Sequence, residues 1–426
     1  MGIFYELMEN KILLVLFLLI NCSIVLAQDT NESVIRSYDL GFVSEWFGDF
    51  NFPIASTENK TFIGVMTPGV PLDARLRLYE SPNDNISDWY SVEWEDSSSY
   101  DGDWDGHHAV SIAIDEDGYV HAFGGMHNDP WKYVRSVSPY TLKDGLEDLG
   151  SIGNSTECRD CSVNYQHRTD VNFLDPNAFE SACPVCFVGN VTTKLSGAFI
   201  SYPRTYKDDN GKIYLTWRGR DTDTNRNWTD DKRSEEGYGV FGSYNYLTKT
   251  WYTQQLFRDP NYVVCKMALA FNPQDAPNAG RIHAMTIWTN EGRPQGGCDA
   301  AVAEDLSYAY SDDNGVTWYK SNGVQYSSLP ISRADAEVVV PSTVLSQIEP
   351  PLNIMTDSTG KLHVFLSTNF ALGLYHLSLN QTWDGPNSID IGAGGTAIKN
   401  DDIFIKMGTS TQSATSVDGD VWLSLG

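Results

Sequence analysis

The chain has 426 residues, rich in Tyr (22), Trp (12), Phe (18), Gly (35) and Pro (18), and its 29 Lys and Arg stand against 56 Asp and Glu for a net charge of −27. Aromatic residues suit a pleated, half-buried surface and frequent Gly and Pro cut the chain into short segments, which excludes disorder, collagen and coiled coil. The negative charge excludes nonspecific nucleic-acid binding, because a phosphate backbone selects a basic face, so any acidic substrate has to be met by a local gathering of cations.

After Lys11 an unbroken apolar run covers residues 12–20, and Val25-Leu26-Ala27 ends on a small residue before the polar Gln28-Asp29. This is the pattern of an export signal over residues 1–27. A membrane span needs about 20 apolar residues, and Asn21-Cys22-Ser23 interrupts this run. Residues 28–426 are therefore expected as a secreted or periplasmic monomer without a membrane span.

The first feature of that region is Trp104-Asp105-Gly106-His107-His108-Ala109, followed by Asp117-Gly118-Tyr119-Val120-His121-Ala122-Phe123 and then Gly124-Gly125-Met126-His127-Asn128. A Gly-ended turn followed by alternating apolar residues reads as a hairpin strand with one buried side. Such a hairpin brings His107 or His108 to the same end of a sheet as His127, a convergence of imidazoles that suits a site better than a core.

Next comes a cysteine-rich insertion at about residues 155–190. It holds Cys158 and Cys161, then Cys183 and Cys186, with His167 between them. Paired Cys-x2-Cys units fit a structural zinc, held by four cysteines or by three with His167. Two disulfides fit the oxidising compartment equally. Neither alternative gives the metal a catalytic part. Cys265 and Cys298 are left as a further possible disulfide.

Tyr202, in Ser201-Tyr202-Pro203-Arg204, and Arg218, in Trp217-Arg218-Gly219-Arg220, flank the turn Asp208-Asp209-Asn210-Gly211, so both can point to one end of a hairpin. Residues 204–233 hold more Lys and Arg than Asp and Glu, including Arg204, Arg220 and Arg226, against the acidic background. A local reversal of charge is what an anionic chain needs.

The Gly-turn-strand unit recurs at Gly118, Gly211, Gly280 and Gly360. Recurrence of one supersecondary unit points to a repeat array, and about 57 residues per blade after residue 27 suit an all-β, seven-bladed β-propeller in a single domain. His121, His283 and His363 occupy one repeat position, where the second repeat has Tyr214, and so read as packing residues. That leaves His107, His108, His127, His167 and His376 for other work. Ser311-Asp312-Asp313-Asn314-Gly315-Val316-Thr317-Trp318 matches the Asp-box of sialidase-like propellers at every motif position; its polar side chains close a turn while its Trp packs between strands.

Together, His107, His127, Tyr202 and Arg218, with the repeats and the Asp-box, resemble the seven-bladed polysaccharide lyases of families 24 and 25 that cleave ulvan, within the wider group of BNR-repeat proteins. The resemblance implies β-elimination at a 4-linked uronate in a sulfated polysaccharide. It implies His107 and His127 as general base and carboxylate partner in either order, Tyr202 as acid and Arg218 as carboxylate neutraliser. His108, Asn128, Arg204 and Arg220 are implied as substrate contacts, and no cofactor is implied for the chemistry. The alternatives are a lyase or α-L-rhamnosidase acting on rhamnose linked to glucuronate, and a noncatalytic glycan-binding propeller. A sialidase would need an early Arg-Ile-Pro segment, which is not found.

Overall fold

The computed structural model describes residues 23–26, 34–37, 54–57, 59–67, 75–81, 89–94, 110–124, 126–129, 131–151, 190–192, 195–196, 199–220, 237–290, 303–344, 348–368, 373–389, 412–415 and 421–424. All regular structure among them is β. Five larger antiparallel sheets follow one another along the chain. The first is Ile54–Ser56, Thr61–Thr67, Arg75–Glu80 and Tyr90–Trp94; the second is Val110–Ile114, Val120–Gly124, Tyr133–Ser138 and Thr141–Asp148. The third is built on Phe199–Lys207, Ile213–Arg220, Tyr238–Asn245 and Thr250–Phe257, with His127–Asp129 added at one edge and Asn190–Thr192 at the other. The fourth is Tyr262–Phe271, Ile282–Asn290, Ala303–Ser311 and Glu337–Val340, and the fifth Ile348–Thr356, Leu362–Thr368, Gly373–Asn380 and Thr382–Ile389.

Strand periodicity explains why these sheets stack. Successive side chains of a strand point to opposite faces, and here each face meets a different neighbouring sheet. Met267 and Leu269 face the third sheet with Tyr214, Phe241 and Leu256, whereas Ala268 and Ala270 face the fifth with Leu362, Val364 and Leu366. The second sheet likewise packs Val120 and Ala122 toward the first and Phe123 and Tyr133 toward the third. Strands covered on both faces are therefore buried throughout, as in Val110–Ile114, while the outer Thr141–Asp148 is largely open to solvent. The fold is thus an all-β propeller whose blades follow one another in the chain. Five blades stand among the described residues, against the seven expected; residues 101–109 with His107 and His108 and the cysteine insertion lie outside them.

The four repeat glycines all have left-handed backbone, at φ 88, 84, 72 and 77° for Gly118, Gly211, Gly280 and Gly360, which is why the repeat requires glycine. At Gly118 a side chain is also excluded by space, since a Cβ would lie 2.3 Å from the Tyr140 ring. The leading strands of neighbouring blades are laced by hydroxyl-to-carbonyl bonds: Ser111 to Pro203 at 2.8 Å, Thr205 to Ile112 at 2.9 Å, and Tyr206 to Met267 at 3.3 Å.

Candidate functional site

The two ends of the blades carry different arrangements of similar residues. At the repeat-turn end, His121 bonds Asp115 through Nε2 at 3.1 Å and the Tyr133 hydroxyl through Nδ1 at 2.7 Å. His283 repeats this with Asn272 at 2.9 Å and Tyr308 at 2.7 Å, and His363 with Asp357 at 3.2 Å and His376 at 2.9 Å. Tyr214 stands in the same place in the third sheet, 3.2 Å from Asp208. Each of the three imidazoles ties the first residue of its turn to an aromatic or imidazole on the next strand. Burial pushes the His121 imidazole down, and burial with the nearby Arg281 charge pushes His283 down to about 3. The structural reading of His121, His283 and His363 holds, and His376 joins them: it occupies the position of Tyr133 and Tyr308 and is not free for other work.

The Asp-box closes the turn after Ser311 as its motif demands. Asp313 accepts from Ser311 Oγ at 2.8 Å, from the main-chain N–H of Val316 at 3.1 Å and of Thr317 at 2.8 Å, and from Thr317 Oγ1 at 2.6 Å. Trp318 is buried edge-on to Phe241 of the third sheet. All of this is architecture.

Toward the opposite end, the third sheet departs from regularity. Ser201 pairs with Arg218 but Arg204 pairs with Thr216, so Tyr202 and Pro203 form a bulge in the strand. Tyr202 has φ 56°, and among the described residues it is the only non-glycine with positive φ inside a strand; the others stand in turns or strand connections. A bulky residue in this region costs roughly 1–3 kcal/mol, and the following proline disfavours helical backbone there as well. Bulges re-aim side chains and are concentrated near active sites. Here the Tyr202 ring lies under the Arg218 guanidinium, 4.7 Å from ring centroid to Cζ, with Tyr202 only 6% and Arg218 only 4% exposed.

His127 enters from the preceding blade. It does not stay with the hairpin that precedes it: His127–Asp129 crosses to the third sheet, where His127 pairs with Ser201. His127, Ser201 and Arg218 thus form one row across three strands. Tyr202 follows Ser201 immediately. Asn128 lies in the same short strand and Arg220 ends the strand of Arg218, while the Arg204 guanidinium stands 5.8 Å over the Tyr206 ring. Tyr202 and Arg218 are therefore brought together as expected, with His127 in register beside them.

Sequence reasoning missed Lys266. It lies in the leading strand of the fourth sheet beside a second bulge, between Val264 and Lys266, and is 3% exposed. Its Nζ is 5.6 Å from the centroid of the Tyr202 ring, so that one phenol is attended by two cations. The signal was present: Lys266 is the one charged residue in Tyr262–Phe271, YVVCKMALAF. Among the described residues, no group of three or more His, Cys, Asp or Glu could hold a metal, and no helix is long and apolar enough to cross a membrane. Cys158, Cys161, Cys183, Cys186 and His167 lie outside these residues.

Residues 78–385 match the model of the BNR repeat-containing family. Among solved structures the chain is similar to polysaccharide lyase Uly1, at 16% identity and TM-score 0.52, covering 83% of this chain and 74% of that one. It is similar also to an ulvan lyase of polysaccharide lyase family PL25, at 14% identity and TM-score 0.52 over 83% of this chain and 74% of that one. The same family bound to -[GlcA(1-4)Rha3S]- matches at 14% identity and TM-score 0.51, over 82% of this chain and 73% of that one. No curated protein sequence matches the chain.

Proposed function

The chain belongs to the BNR repeat-containing family, and from that premise we propose that it is a polysaccharide lyase that cleaves ulvan at 4-linked uronate by β-elimination. The observation that carries this reading is the Tyr202 bulge, which sets a phenol against the buried Arg218 in the sheet row of His127. The similarity in fold to polysaccharide lyases, one bound to a glucuronate linked 1–4 to sulfated rhamnose, supports it.

The chemistry sets the roles. The C5 proton of a uronate is weakly acidic while the neighbouring carboxylate keeps its charge. Arg218 neutralises that charge as the enolate develops, a task suited to a permanent cation that can grip a carboxylate with two N–H groups. One of His107 and His127 takes the C5 proton while the other binds the carboxylate; imidazole is suited to either near neutral pH. The electron pair released at C5 forms the C4=C5 double bond, the C4–O4 bond breaks, and Tyr202 gives its proton to O4. His108, Asn128, Arg204 and Arg220 hold flanking sugars. In the same reading residues 1–27 are removed on export, and the insertion is held by a structural zinc on Cys158, Cys161, Cys183 and Cys186 or by two disulfides among them.

Purified protein mixed with ulvan is expected to raise ultraviolet absorbance as unsaturated uronate forms. Silence with ulvan and with every other uronate polymer overturns the lyase reading, and cleavage without an unsaturated ring makes the enzyme a hydrolase.

A further inference from the structure

We propose that Lys266 is a positioning residue for proton donation by Tyr202: its ammonium, with Arg218, holds the phenol ring and stabilises the negative charge left on it when the proton passes to O4. This deepens the lyase reading and rests on it. Three observations carry it. Lys266 is buried in the middle of an apolar strand, where a charge is costly unless it is matched. Its Nζ is aimed at the ring that Arg218 covers, within the range at which a cation is attracted to an aromatic face. Two bulges in the leading strands of neighbouring blades accompany this, one at Tyr202 and the other at Lys266.

Two buried cations beside one ring form an arrangement that favours an anion between them. During elimination that anion is the phenolate. The base ends with the C5 proton, O4 with the phenol proton, and the phenolate regains a proton from water before the next turnover. Among the described residues, the charged groups placed against the Tyr202 ring are Arg218 on the adjacent strand and Lys266 on the next blade. Lys266 acts in this proposal through the Tyr202 ring and not on the sugar, so its removal is expected to act on the rate and not on affinity.

The test compares Lys266→Met, Lys266→Gln and Lys266→Arg on the full chain. With ulvan, the neutral variants are expected to lose about ten-fold or more in kcat with KM little changed, and Lys266→Arg to recover most of it. A separate readout needs no substrate. Tyrosinate absorbance is titrated in the wild type and in Lys266→Gln, each against the same protein carrying Tyr202→Phe to isolate Tyr202. Its ionisation is expected about one pH unit or more higher in Lys266→Gln. An unmoved titration overturns the role of Lys266 whatever the activity; equal kcat in all three variants does the same. A shifted titration in a wild type inert on every uronate polymer sinks the lyase reading and leaves the Lys266–Tyr202 coupling standing. Melting curves of both neutral variants separate a folding defect from the effect sought.

Discussion

Tyr202 and Tyr214 are buried on adjacent strands of the same sheet, and each has a lysine over its ring, Lys266 at 5.6 Å and Lys212 at 5.1 Å; what differs is the company of the hydroxyl, the second cation and the backbone. The Tyr214 hydroxyl lies 3.2 Å from the Asp208 carboxylate and 3.3 Å from Asn314, and burial with that carboxylate pushes its pKa far up. It keeps its proton and ties a turn. Tyr202 stands beside Arg218 and Lys266 on strained backbone, where, in the proposed reaction, the charge left by its proton is met. Residue type alone therefore says little here; a carboxylate at the hydroxyl marks the scaffold tyrosine, and a second cation with strained backbone marks the other.

The largest effect that would test this contrast is catalytic. Tyr202→Phe is expected to lower kcat on ulvan by about 10²–10⁴-fold, with melting temperature nearly unchanged, while Tyr214→Phe keeps full turnover and loses about 1 kcal/mol in denaturant titration. Equal turnover in the two variants breaks the comparison. A medium effect belongs to the scaffold end: Asp313→Ala strips four hydrogen bonds from the Asp-box turn and should cost about 1–3 kcal/mol, with activity per folded molecule intact. The last is a slope, small at each step of pH. His283 has its folded pKa lowered to about 3, so between pH 6.5 and that value the unfolded chain binds the extra proton, and stability falls as pH falls through this window. The contribution is ~1.4 kcal/mol per pH unit at most. Melting temperature measured from pH 7 to 4 should drop less steeply in His283→Gln than in the wild type.

Much of the scaffold was legible because it depends on local rules. A glycine needed for left-handed backbone, a residue three places on that meets the start of its own turn, and the Ser, Asp and Thr of the Asp-box all act within a few residues of one another. His376 escaped because its partner His363 lies across a strand pair, and register is not written in either segment alone. The same holds for His127, whose short strand leaves its own blade for the next. Tyr202 and Arg218 could be paired across one hairpin, and their likeness to a known lyase pattern named them; the bulge that turns the ring could not be read. Lys266 was visible as a lone charge in an apolar run, but its target stands on another blade.

Pro203 has no main-chain hydrogen to give, and its carbonyl is taken by Ser111 of the preceding blade. The segment that orients Tyr202 is thus fastened to the sheet behind it, while the second cation at its ring arrives from the sheet ahead. The third blade is therefore no freestanding module: grafted elsewhere without its two neighbours, it would leave behind both the bond from Ser111 and the cation of Lys266.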